Sequence, residues 1–196
     1  MSTTKLKHPK IYQYVSSLAE IDSTNWEKFE SSFTSVTAQK SQVLLKPNII
    51  FDNIFFVLEG LVRNYYIDEK GREYTKTFRS PGELIGPYAE ILTSNPSRYY
   101  IQAVTNAKLL QIPYDDYSKI LSSDIEWQKF GRIMAEQNYV EKEWREHMLL
   151  HMDIAQKYDA FLSKYQQFEE QIPQYQIASY LGVTPEAFNR FKKKHK

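Results

Sequence analysis

Apolar positions along this chain change their spacing twice. Between residues 11 and 35 they recur every three to four positions, as Ile11, Tyr14, Val15 and Leu18 and then Trp26, Phe29 and Phe33. That period predicts helix, and Thr24 with Glu27 has the form of a capping box around Trp26. From about Ser41 the spacing shortens. The segments SQVLL, NIFFVLEG, LVRNYYI, EYTKTF, RYYIQAVT and AKLLQI are rich in Val, Ile, Tyr, Phe and Thr, and turn residues separate them, as short strands require. IDEKGRE reads as a hairpin loop with Gly71 at the position that needs a positive φ. Four of the six glycines (Gly60, Gly71, Gly82 and Gly86) fall within residues 41–112, which marks an all-β unit of sandwich or jelly-roll type.

Past Pro113 the helical period returns. Ile125, Phe130, Ile133, Met134, Gln137, Val140, Glu141, Trp144 and Met148 contain a three/four seam roughly six turns long. A helix of about 25 residues outruns so small a β unit, so part of its apolar stripe should stay uncovered. A second copy of the chain would cover it, and Ile133, Gln137, Val140, Trp144 and Met148 are the expected dimer seam. Packing on the β unit and the final helices alone is the other way to bury it. Residues 152–169 form a further amphipathic helix through Ile154, Tyr158, Phe161, Leu162 and Tyr165, after which EEQIPQY restarts the chain at Pro173.

Composition narrows the chemistry. The 196 residues allow one core, or a core and a small appendage. There is no cysteine, which excludes a disulfide framework, thiol catalysis and any thiolate-held cluster or zinc. The first ten residues are polar and basic with no signal-peptide run behind them. The longest apolar run, Ile54 to Leu58, is far too short to span a membrane. A cytoplasmic protein without a membrane partner is expected.

Charge is sorted along the chain. The formal net charge is +1, yet Thr184 to Lys196 carries Arg190, Lys192, Lys193, Lys194 and Lys196 against a single acid, Glu186. Within QIASYLGVTPEAFNRFKKK, Ile177, Ala178 and Leu181 make one apolar helical face, and Gly182 stands where a left-handed stop belongs. Thr184 suits an N-cap, Pro185 the first helical position and Glu186 the first turn. Phe188 and Phe191 would face inward, leaving Glu186, Asn189, Arg190 and Lys193 outside. Helix, glycine-containing turn, helix is the helix-turn-helix geometry, whose second helix offers its outer face to base edges. Arg190 can bond a guanine edge bidentately, Glu186 can accept from cytosine, and the lysines supply the salt-dependent attraction to phosphate. Thr184, Glu186, Asn189, Arg190, Lys192, Lys193 and Lys194 are the expected DNA-binding set.

A helix, a β unit with FFVLEGLVRNYY and SPGELIG, a long helix and a terminal IASYLGVTPEAFNRFKKK together resemble the Crp/Fnr family of bacterial transcription regulators, from about residue 20 onward. The resemblance implies an α+β fold in three parts. These are a cyclic-nucleotide-binding-like double-stranded β-helix (jelly-roll) sensor over 1–123, a long dimerisation helix over 124–150, and a helix-turn-helix over 151–196. It implies a homodimer on a palindromic site in double-stranded DNA, with Glu186 and Arg190 at the family's base-reading positions. Two departures stand out. The family's winged domain continues past the recognition helix, whereas this chain stops at Lys196, so most of the wing is expected to be missing. Members that bind cyclic nucleotides hold the ribose with a Glu after the glycine and the phosphate with an Arg in a following RS. Aligned from Gly86, Pro87 takes the Glu position and Ser97 the Arg position. Arg98 comes one residue later, on the opposite face of a strand. A one-residue slip would bring it inward, with Glu90 in place of the lost acid.

The candidate pocket is therefore Gly86, Pro87, Tyr88, Glu90, Ser97, Arg98 and Tyr99, and a cyclic nucleotide is not expected to bind it in the usual way, since a buried phosphate needs a cation. No cofactor is expected, and a small-molecule effector is left unidentified. His147 and His151, at i and i+4, could share a metal, but only Asp153 is near as a third ligand and no metal site is expected. No nucleophile elbow or phosphate loop is present, and residues 41–112 contain no histidine for a cupin-type metal triad, so no enzyme activity is expected. The alternative to DNA binding is a ligand-sensing β-roll that acts through a protein partner.

Overall fold

The structure is a computed structural model that describes residues 7–194, so Lys196 of the basic terminus lies outside the described residues. Two short helices open it, α1 (Pro9–Leu18) and α2 (Ser23–Glu30). Eight strands follow: β1 (Thr34–Ala38), β2 (Val43–Leu45), β3 (Asn53–Glu59), β4 (Val62–Ile67), β5 (Glu73–Arg79), β6 (Leu84–Ile85), β7 (Tyr100–Ala103) and β8 (Ala107–Pro113). A short helix α3 (Tyr88–Leu92) interrupts them before β7. The remainder is helical: α4 (Tyr114–Leu121), α5 (Ile125–His151), α6 (Ile154–Tyr165), a 3-10 helix (Gln166–Gln171), α7 (Gln174–Leu181) and α8 (Pro185–Lys194).

The strands form two four-stranded antiparallel sheets, ordered β1-β8-β3-β6 and β2-β7-β4-β5. Val57 of β3, Leu109 of β8, Val62 of β4 and Ile101 of β7 meet in one buried cluster that fills the roll. This is the expected α+β jelly-roll. Its β4–β5 hairpin closes at Gly71, φ +76°, where the Asp68 carboxylate accepts from the backbone N–H groups of Lys70 and Arg72, both at 2.9 Å.

Two other apolar clusters fix what surrounds the roll. Trp26, Phe29, Tyr117, Trp127 and Phe130 pack α2, α4 and the start of α5 on Ile54, Phe56, Leu110 and Ile112. Trp26 and Trp127 are both fully buried, with their rings 6.4 Å apart and nearly parallel. Asp124 caps α5, accepting from the N–H groups of Glu126 and Trp127. On the other side Leu61, Phe78 and Val104 of the roll join Phe161, Tyr165, Ile177, Leu181 and Phe188. The terminal helices are thus packed onto the roll, not merely tethered to it.

The single helix expected over 11–35 is divided. Ala19 is extended, and Asp22 starts the second helix by accepting from Asn25 N at 3.0 Å. The cap is therefore Asp22 and not Thr24. Strand structure begins at Thr34, well before Ser41, because β1 is an edge strand paired with β8 and exposed along most of its length, so it needs no apolar alternation. The 41–112 segment also contains α3, so it is not wholly β. Among the described residues no helix is long and apolar enough to cross a membrane.

Candidate nucleic-acid interface and the roll pocket

Pro173 opens α7, and its apolar face (Ile177, Ala178 and Leu181) is fully buried. Gly182 ends it at φ 68°, ψ 31°, with Val183 N bonded to Ala178 O at 3.0 Å. A side chain there would be strained, and its Cβ would stand 2.8 Å from Leu149 Cδ2 of α5. Thr184 then accepts from Ala187 N at 3.2 Å and starts α8. Phe188 and Phe191 face the core at 0% and 9% exposure. Thr184, Glu186, Asn189, Arg190, Lys193 and Lys194 lie exposed on the other side. Backbone and Thr184 hydrogen bonds hold the Glu186 carboxyl below its ordinary range, so it remains an acceptor. Among the described residues Arg190, Lys193 and Lys194 join no ion pair.

Lys192 departs from the expected set. Its Nζ donates to Glu169 Oε1 at 2.6 Å and to the Tyr158 hydroxyl at 2.5 Å, and Tyr158 in turn donates to Glu169. Burial alone would lower Lys192, but these bonds outweigh it and raise its pKa, while Glu169, against its own burial, is held down by the same partners. Its charge alone puts it in the expected DNA-binding set. Its geometry makes it a brace between α8, the 3-10 helix and α6.

Polar contacts that periodicity does not reveal seat the terminal helices on the roll. Ser179 of α7 accepts from Thr75 N at 2.7 Å and donates to Glu73 O at 2.8 Å, covering the edge of β5. Tyr165 donates to Phe78 O at 2.9 Å. Arg145 of α5 lays its guanidinium 4.0 Å from the Tyr180 ring centroid and donates to Tyr180 O. Beside them sits a cluster of four charges. Glu141 lies 2.6 Å from Arg79 and 3.0 Å from Lys164, and Glu83 lies 3.3 Å from Arg79 and 2.9 Å from Lys164. Burial by itself would raise Glu141, but Arg79 and Lys164 prevail and bring it to about 2. No sequence signal pairs residues so far apart in the chain.

The pocket positions fall differently. Tyr99, 1% exposed, turns inward and donates to Gly86 O at 2.8 Å, closing the space beside Pro87, which is also buried. Its ring stands edge-on to Tyr66, and Lys76 Nζ lies 4.4 Å from its centroid. Ser97 is buried and donates to Tyr99 O. The slip that would bring Arg98 inward does not occur: its side chain is 71% exposed, and its Nε reaches Glu90 Oε1 at 2.8 Å. Glu90 is 2% exposed, and its second oxygen has no partner among the described residues. Tyr88 points away, 42% exposed against Tyr114, so it does not line the pocket. In the bend just before β7, Tyr99 is buried and Arg98 exposed.

On α5, Ile133, Gln137, Val140 and Trp144 line one shallow groove with Glu136 and Glu141. Val140 and Trp144 are 64% and 53% exposed. Met148 corrects the expected seam, since it is 2% exposed within one protomer and cannot face a second copy. Tyr139 and Leu150, which the seam omitted, are largely exposed. His147 and His151 stack with ring centroids 5.3 Å apart, and among the described residues no group of three or more possible ligands could hold a metal.

Residues 35–124 match the cyclic nucleotide-binding domain family. Over 167 residues the chain is 28% identical to the anaerobic regulatory protein of Haemophilus influenzae, covering 78% of this chain and 63% of that protein. The chain thus spans a little under two thirds of that curated relative's length. Of solved structures, FixK2 from Bradyrhizobium japonicum superposes with a TM-score of 0.70 at 19% identity, with 83% of each chain covered. A Crp/Fnr-family transcriptional regulator from Eubacterium rectale gives 0.70 at 16% identity, covering 89% of this chain and 83% of that one. At such identities the structures speak for the fold alone. Sequence, fold and motifs agree that residues 35–124 form a cyclic nucleotide-binding-type roll, and the chain as a whole is similar to regulators of the Crp/Fnr kind.

Proposed function

We propose that the chain is a homodimeric, non-enzymatic regulator that reads a palindromic site in double-stranded DNA in the cytoplasm. The observation that carries this reading is the division of α8: both phenylalanines are buried, while Glu186, Asn189, Arg190, Lys193 and Lys194 are exposed and, for the cations, in no ion pair among the described residues. A helix placed this way after a glycine turn can enter the major groove, with Arg190 and Glu186 on base edges and the two lysines on phosphates. The apolar groove around Val140 and Trp144 is the surface through which two copies would meet, setting the two α8 helices on half-sites about one helical turn apart.

The residues at the roll pocket do not fit a cyclic nucleotide. A buried phosphate needs a cation, and the family's arginine position holds buried Ser97. Arg98 is committed to Glu90, and the Tyr99 hydroxyl to Gly86 O. In this reading the protein binds DNA without an added nucleotide. The test is selection from a randomised duplex library by the ligand-free protein at about 100 mM salt, because salt sets the non-specific background. A palindrome with half-sites one turn apart is expected. Retention of DNA with no enriched sequence would overturn the reading.

A further inference from the structure

The four-charge cluster joins parts with different duties. Arg79 and Glu83 belong to the roll, Glu141 to α5, and Lys164 to α6, the helix that leads into the reading head. Ser80 fixes Glu83, donating from its backbone N at 2.7 Å and its hydroxyl at 2.9 Å. Arg79 is 12% exposed, so removing one anion would leave a largely desolvated cation. Glu141 also lines the groove on α5, beside Val140 and Trp144. It is therefore a side chain of the dimer surface whose carboxylate holds the head.

The link runs on to the DNA face. Lys164 sits near the C-terminal end of α6, and Tyr158, about two turns earlier on the same helix, helps brace Lys192 of α8. Helix α6 is thus a lever with Glu141 at one end and the reading helix at the other. The head has a second fixed point in Ser179 of α7, on the edge of β5. When a second copy covers the groove, water is excluded from Glu141 and its attraction to Arg79 and Lys164 strengthens. The same contact that joins two copies then stiffens the pose of each head, and the coupling is reciprocal.

We infer that Glu141 is a positioning residue for DNA reading, which ties the packing of the dimer seam to the orientation of α8 through Lys164. The inference rests on the proposed DNA reading. Its test compares wild type, Glu141→Gln, Lys164→Gln and the double variant on the selected palindrome, and on the same half-sites with one base pair added or removed between them. Base preference within each half-site is the internal control. Glu141→Gln should weaken binding at the optimal spacing about 10-fold and erase most of the discrimination against shifted spacings, with half-site preference unchanged. Lys164→Gln should do the same, and the double variant should be no worse than either single. If wild type selects no sequence, the DNA reading itself fails. If wild type reads a palindrome but Glu141→Gln and Lys164→Gln keep the wild-type spacing preference, or their effects simply add, only this inference is overturned. Should Glu141→Gln not fold, Lys164→Gln, altered at a side chain 39% exposed, carries the same test.

Discussion

Arg98 and Arg190 stand on the two surfaces where this chain would be expected to meet something else. Both are exposed, and only one is occupied. Arg98 reaches a buried carboxylate of its own chain, Glu90, while the tyrosine next to it closes the space behind. Arg190 projects from α8 with no acid against it among the described residues. The same contrast repeats one turn later, where Lys192 is braced by Glu169 and Lys193 joins no ion pair among the described residues. A cation that the fold has already paired offers little to a phosphate, since the internal anion must first be displaced. A free cation at the end of a capped, packed helix offers all of its charge. The roll therefore behaves as a filled core and the terminal helix as an open surface.

The largest effect that tests this contrast comes from the two arginines. Arg190→Ala should weaken binding to the selected palindrome about 10- to 100-fold and relax base preference at one position of each half-site, as expected for losing a bidentate contact worth ~1–3 kcal/mol. Arg98→Ala should leave DNA affinity within about twofold, which is about 0.4 kcal/mol. Equal losses in the two variants would abolish the distinction. The lysines come next. Lys193→Ala should reduce the slope of log K against log salt by about 2 for a dimer, near 0.9 for each phosphate released. Lys192→Ala should leave that slope unchanged and lower thermal stability by the ~1 kcal/mol or less of a partly exposed pair. Fluorescence anisotropy over a salt series reads both.

A smaller effect probes the roll. Tyr99→Phe removes the donor to Gly86 O and should destabilise the protein by about 1 kcal/mol, seen as a lower melting midpoint. With cyclic AMP at about 1 mM the wild-type midpoint should not move, because only a ligand that binds the native state raises it. A clear upward shift would show that the pocket opens and would end the idea of a self-filled roll.

What the sequence revealed follows from which interactions are local. The turn at Gly182, the cap at Thr184 and the inward phenylalanines are set within about ten residues, and each was readable from residue type and spacing. Strands β3 to β5 carry their own apolar pattern and were readable for the same reason. Edge strand β1 was not, because its partner β8 lies some seventy residues on and pairing through the backbone asks nothing of its side chains. Lys192 and Met148 share that cause. Periodicity gave the face of each helix, but Glu169, Tyr158 and the packed head decide what lies over that face. The seat of the head on β5 was illegible altogether, since Ser179 and Thr75 are brought together only by the fold.

The smallest effect concerns the charges that are paired internally, and it separates them from the free ones by pH. Glu141 and Glu169 both titrate below their ordinary value of 4.5, Glu141 at about 2. A carboxyl held lower in the folded chain than in the unfolded one adds stability above its ordinary pKa, and that stability drains away as acid protonates the folded group. The contribution of Glu141 should therefore be complete at neutral pH, begin to fall below about 4.5 and be spent near about 2. Because its side chain is 37% exposed, solvent screening keeps the loss modest. Melting midpoints measured between pH 6 and pH 2.5 (a range set by ordinary carboxyl titration) should drop more steeply for wild type than for Glu141→Gln. Lys193→Ala should follow wild type throughout, since Lys193 meets no carboxylate among the described residues. Parallel curves for wild type and Glu141→Gln would mean that the cluster does not hold the head, and that the pairing of Glu141 with Arg79 and Lys164 is incidental to the fold.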